Sequence, residues 1–147
     1  MKQLRIENRT RRSVVAMRVG LADGWWRRAR GLLGRPEPGV GEGLLLEPCR
    51  AVHMLGMRYA LDVVMIDRER RVIALYPALA PGGRTAWHRA ARFTLELRTG
   101  SIEAAGIETG DTLAWSEIGA VTEERTPPVD VESRPSAYPP PTVSAGP

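Results

Sequence analysis

Hydrophobic positions fall in short runs separated by polar or glycine-rich stretches. Leu4 and Ile6 alternate with polar neighbours, and Val15, Met17 and Val19 repeat the pattern. Gly43-Leu44-Leu45-Leu46 is a short apolar run. Leu61 to Ile66 and Val72 to Tyr76 are rich in β-branched residues, and the charged stretch Asp67 to Arg71 between them reads as a hairpin turn. Phe93, Leu95 and Leu97 alternate with Thr94, Glu96 and Arg98, the period of a half-buried strand. Thr112 to Trp115 closes the series.

Helical spacing occurs twice. Asp23 suits an N-cap, followed by Trp25, Ala29, Leu32 and Leu33, with Gly34 as the stop. A shorter helix is expected from a Ser101 cap to Gly106, with Ile102 and Ala105 facing inward. Many short strands with one or two short helices predict a mainly β, compact antiparallel barrel or sandwich.

The periodicity ends near residue 122. From Thr126 to Pro147 the chain holds seven of its twelve prolines and few apolar residues. Such a segment buries too little surface to offset its chain entropy, so 123–147 is expected to be a disordered Pro-rich tail on a single domain of 1–122.

Composition narrows the classes. The chain of 147 residues is 43% hydrophobic, enough for a real core. Its single cysteine excludes an intrachain disulfide framework and a cysteine-rich zinc module. No apolar run approaches a transmembrane helix, and residues 1–13 lack the apolar core of a signal peptide, so a cytoplasmic location is expected. The net charge of +4 hides an asymmetry: residues 1–35 carry ten Lys and Arg against two acids, for +8. The remainder carries eleven against fifteen, for −4. Arg9, Arg11, Arg12, Arg18, Arg27, Arg28, Arg30 and Arg35, with Trp25-Trp26 among them, make an Arg-rich binder of nucleic acid or an anionic membrane surface one reading. A solvated charged face is the plainer one.

Candidate chemistry is sparse. Gly39-Val40-Gly41-Glu42-Gly43 lacks the Gly-Lys-Ser/Thr ending of a phosphate loop and precedes a strand, so it reads as a connector. Cys49, His53 and Met57 recur every four residues. Thiolate, imidazole and thioether together suit a soft ion such as copper, with zinc an alternative. The competing reading puts Cys49 and Met57 in the core and makes His53 a hydrogen-bonded, semi-buried histidine. Cys49 as a nucleophile with His53 or His88 as base lacks an evident orienting group. Asp67 fits a turn. Asp62 is different: an acid inside an apolar run is costly unless an arginine (Arg35 or Arg58) or backbone amides partner it. Glu96 lies between Leu95 and Leu97, where strand alternation is expected to turn it to solvent.

These motifs together resemble a known family. Gly31-Leu32-Leu33-Gly34-Arg35 resembles the Gly-Leu-Met-Gly-Arg signature of the uncharacterised bacterial and archaeal DUF 192 domain. Val52-His53-Met54-Leu55-Gly56-Met57 resembles the branch with Val-His-Thr-Phe-x-Met, which replaces the commoner Phe-Trp-Met-Lys-Asn-Thr. Leu61 to Asp67, Leu95-Glu96-Leu97 with Gly100, and Gly110-Asp111 follow in the family's order across residues 13–116. Met54, Leu55 and Met65 depart from it, making the segment more aliphatic. The resemblance implies a small β domain without an established reaction, and it focuses attention on Arg35, His53, Met57, Asp62 and Glu96 as a ligand-binding or structural constellation. Arg35 is expected to pair with Asp62, with His53 nearby at a concave mouth. Some members are exported, and this branch is associated with pilus and secretion genes. The expected function is therefore a noncatalytic accessory or binding module that engages another protein. A metal protein or enzyme centred on His53, Cys49 and Met57 is the main alternative, and no cofactor is otherwise expected.

Overall fold

In a computed structural model, residues 1–24, 27–28 and 31–119 are described. The expected tail at 123–147, its boundary at 122, and Trp25, Trp26, Ala29 and Arg30 of the expected first helix lie outside these residues.

Among the described residues, seven strands form one sheet: β1 (Gln3–Asn8), β2 (Ser13–Ala22), β3 (Glu42–Leu46), β4 (Leu61–Asp67), β5 (Val72–Leu79), β6 (Ala91–Arg98) and β7 (Leu113–Glu117). One short helix, α1 (Ser101–Ala105), follows β6. The strand order is β5-β4-β6-β3-β2-β1-β7. Every pairing is antiparallel except β2 with β3. That parallel pair needs a crossover rather than a hairpin, and the connection 23–41 provides it. Arg27 and Arg28 within it are helical, with Arg28 N donating to Gly24 O and Gly31 N to Arg27 O. The sheet does not close into a continuous barrel. Its edge strands approach through one isolated bridge, Arg71 to Thr112, at one end.

Two apolar clusters cover opposite faces of the sheet. Leu45, Val64, Ile66, Leu95 and Leu97 belong to one, and Leu44, Leu46, Leu61, Val63 and Met65 to the other. The central strand β4 is thus buried on both sides, which explains its nearly continuous apolar run. The same two-sided cover buries Thr94 and Glu96.

Strict alternation fails in β2. Val15 and Ala16 are both buried, whereas Met17 is 53% exposed. The β1–β2 register shifts twice, between Leu4 and Ile6 and between Ile6 and Glu7. Each shift places an extra β2 residue against β1, as a bulge does, and so resets which side chains face inward.

The β4–β5 turn forms as expected. Asp67 Oδ1 accepts the Arg71 amide at 2.8 Å, and Asp67 N donates to Arg71 O at 2.9 Å. Helix α1 is capped differently from the expectation. Its N-cap is Gly100 without a side-chain cap bond, while the Ser101 hydroxyl donates to Arg98 O at 2.6 Å. Gly106 ends the helix in the left-handed region, as its type predicts.

Candidate functional site

The candidate site is a cavity of about 400 Å³ over the second face of the sheet. Leu46 of β3 and Glu96 of β6 form its floor. Arg28, Gly31, Leu32 and Leu33 make one wall; Cys49, Val52, His53, Met54 and Met57 make the other, and Leu55 and Trp87 stand at the lip.

Both walls are held by backbone geometry. Gly31 adopts a φ of +50°, a left-handed conformation that costs a non-glycine residue energy. The Tyr59 hydroxyl lies 3.0 Å from Arg35 O and 3.2 Å from Leu32 O, which fixes the turn after Gly31. The second wall lies against 82–88. Met54 N donates to Gly83 O at 2.7 Å, Thr85 N to Val52 O at 3.0 Å and His88 N to Arg50 O at 2.9 Å. The Thr85 hydroxyl accepts the Val52 amide at 3.0 Å. Met54 anchors this extended stretch at 1% exposure, so its neighbours His53 and Leu55 point outward.

Glu96 is the unusual group. It is 6% exposed, and its Oε2 has no hydrogen-bond partner among the described residues. Gly31 packs against it: a Cβ there would sit 3.5 Å from Oε2 and 3.6 Å from Oε1. Burial pushes the Glu96 carboxyl up to about 7, because no cation or donor among the described residues offsets the lost solvation. Arg28 does not supply one. Its Nη1 donates to Asp23 O at 3.1 Å and Glu47 O at 3.2 Å. Burial also pushes the Cys49 thiol up, and the Glu96 charge adds to the rise. Burial raises the Tyr59 phenol, with Glu96 and Glu37 contributing.

The family assignment follows from the whole-chain pattern. The model of DUF192, described as "Uncharacterized ACR", matches residues 6–115. The chain belongs to the DUF192 family. A UPF0127 protein of Thermococcus sibiricus is 30% identical over 123 residues, covering 81% of this chain and 77% of its own. A UPF0127 protein of Pyrococcus furiosus is 32% identical over 114 residues, covering 76% and 97%. Two solved structures share the fold. One is a protein of unknown function from Novosphingobium aromaticivorans, with TM-score 0.66 and 24% identity, covering 77% of this chain and 84% of that one. The other is a candidate transcription regulator from Sinorhizobium meliloti, with TM-score 0.65 and 20% identity, covering 78% and 92%.

Within this DUF192 chain the expected constellation divides. Cys49, His53, Met57 and Glu96 line the cavity together. Cys49 and Met57 are half-buried against the second apolar cluster, but His53 is exposed rather than semi-buried. Arg35 and Asp62 do not pair. Asp62 Oδ2 accepts the amides of Gly100 at 3.1 Å and Ile102 at 2.9 Å, and Oδ1 accepts that of Ala78 at 2.8 Å. Asp62 shares its face of β4 with Val64 and Ile66, which join the other core, so the sheet separates it from Glu96. Arg35 lines neighbouring grooves beside Tyr59 and Glu37. Backbone amides, the second option open from sequence, meet the cost of the buried acid.

The cysteine-nucleophile arrangement is not assembled. His88 Nε2 lies 2.7 Å from the Tyr76 hydroxyl, while the Cys49 thiol donates to Ala51 O at 3.3 Å. A raised thiol pKa also lowers the thiolate fraction that attacks. Among the described residues, no group of three or more His, Cys, Asp or Glu is placed to hold a metal ion. No described helix is long and apolar enough to cross a membrane.

Several contributors carried no clear sequence signal. Gly43 belongs to an apolar run, yet a Cβ on it would come 2.4 Å from Glu96 O. Asp111 was legible only as a turn residue. Its Oδ2 accepts from Asn8 Nδ2 at 2.8 Å, Glu108 N at 2.9 Å and Arg11 Nε at 3.1 Å. Burial opposes its ionisation, but these donors outweigh it and hold the carboxyl below the usual range. Arg11, part of the basic N-terminal third, also pairs with Glu108 and is thus committed within the fold.

Proposed function

We propose that this chain is a noncatalytic binding module whose site is the cavity over Glu96. The observation that carries the reading is a buried carboxylate oxygen without a partner among the described residues, set in the floor of an open cavity whose lining mixes apolar and polar side chains. Folding leaves that oxygen unpaired, and a buried polar group without a partner is costly. A ligand that reaches it recovers a hydrogen bond. The apolar walls add burial, and the exposed lip of Leu55 (72%) and Trp87 (70%) offers contact area to whatever presents the ligand. A segment of another protein is the favoured occupant, with an accessory role beside a pilus or secretion machine as its cellular setting.

A fragment and short-peptide screen followed by amide NMR on the full chain tests the reading. Binders should move the amides of Gly31, Cys49, His53 and Glu96 together. Filling the cavity with Met57→Trp should abolish their effect. A screen with no binders, or with binders that act elsewhere and ignore Met57→Trp, would overturn it.

A further inference from the structure

Resting on that cavity reading, we infer the chemical class of the occupant. It carries one nitrogen cation, a primary ammonium or a guanidinium, at the end of an apolar stem, with a carboxylate behind it that meets Arg50 at the rim. Three features lead there. The deepest polar group is a single acid with an unpartnered oxygen, so once Glu96 is ionised, as at pH 8, an anionic or acceptor-only head is repelled and a donating head is held. Leu32, Leu46, Met54 and Met57 surround the approach, so the part behind the head is apolar. Arg28 and Arg50 also line the cavity; Arg28 is engaged with two carbonyl oxygens, whereas Arg50 is exposed. A second cation at the rim is therefore disfavoured and an anion favoured.

A nitrogen cation suits this site better than a metal ion. Metal ions draw several donors into one shell, whereas an ammonium or guanidinium is satisfied by a carboxylate and tolerates apolar walls along its stem. The Glu96 charge acts on Cys49 and Tyr59, whose pKa values burial raises, and neither is a cation that would compete for the carboxylate. A lysine or arginine side chain flanked by acids meets the description, and so does a free ω-amino acid.

The full chain would be titrated with 6-aminohexanoate, hexylammonium and hexanoate, and with a capped Glu-Lys-Glu peptide and its norleucine analogue, at pH 8. Both amines should shift the cavity amides, and hexanoate should not. Glu96→Gln, shown to be folded by its spectrum, should bind the amines at least tenfold more weakly. Arg50→Gln should weaken 6-aminohexanoate and leave hexylammonium binding no weaker. Tighter binding of the lysine peptide than of 6-aminohexanoate assigns the cation to a protein partner, and the reverse assigns it to a small molecule. Amines that bind Glu96→Gln as well as the wild type, or do not bind, overturn the inference. Binders in the wider screen that lack an amine would then preserve the cavity reading, whereas a screen without binders would remove both.

Discussion

Single side chains in this fold separate structure from recognition. Asp62 looked expensive from sequence alone, and the structure resolves the cost through three backbone amides. Removing the acceptor leaves those donors unpaired near the core, so Asp62→Ala should lose at least about 3 kcal/mol in urea unfolding. His53 behaves oppositely. It is the most conspicuous residue of its motif, yet it is exposed. His53→Ala should therefore change unfolding stability by no more than about 0.5 kcal/mol. A larger loss would show that the imidazole braces the cavity wall. The burial of Glu96 was not legible, because a strand read in isolation shows which residues share a face but not what covers it. The cover comes from Gly31 to Leu33 and Cys49 to Met57, distant in sequence from β6.

At the level of elements, glycine positions carry information that hydrophobic patterning misses. Gly43 in β3 pairs with Leu97 so closely that a methyl group would strike the Glu96 carbonyl and the Leu97 side chain. Gly43→Ala should destabilise by about 1–3 kcal/mol and shift the Glu96 amide resonance, since overpacking forces backbone movement. An unchanged melting temperature would mean that β3 and β6 part without cost. Strand existence was readable almost throughout, because β-branched and alternating runs bounded by turn residues mark strands locally. The bulges of β2 were not readable, because they depend on register with β1. Nor was the parallel β2–β3 pair, which follows from the path of the 23–41 connection.

The whole molecule carries an opposing pair of proton linkages. Glu96 has a folded pKa near 7 against a reference of 4.5, so the folded state binds a proton that the unfolded state releases between those values. Its contribution is fully present below pH 4.5 and is lost as pH rises toward 7, for a swing of about 3 kcal/mol. Glu96→Gln should flatten that slope in denaturant titrations at pH 5 and pH 8. An equal slope in both proteins would show that Glu96 is solvated. Asp111 works the other way: its lowered folded pKa contributes stability above its unfolded pKa, and that contribution fades as pH falls through the folded value. Fold class was legible from strand number and spacing, but the site needed the assembled sheet, because its floor and walls come from separate stretches of chain.

The incomplete closure of the sheet has a further consequence for how copies of the chain meet. A sheet with two edges exposes unpaired amides and carbonyls that a second molecule can extend into fibrils. Here the Arg71–Thr112 bridge ties the two edges together at one end. Farther along β5, Pro77 has no amide proton to offer, and the Ala78 amide is turned to Asp62. On β7, Arg70 lies over the Trp115 ring with its guanidinium carbon 4.0 Å from the ring centroid, placing charge beside that edge. The departures from an ideal barrel thus guard against edge-to-edge self-association without requiring a closed ring of strands.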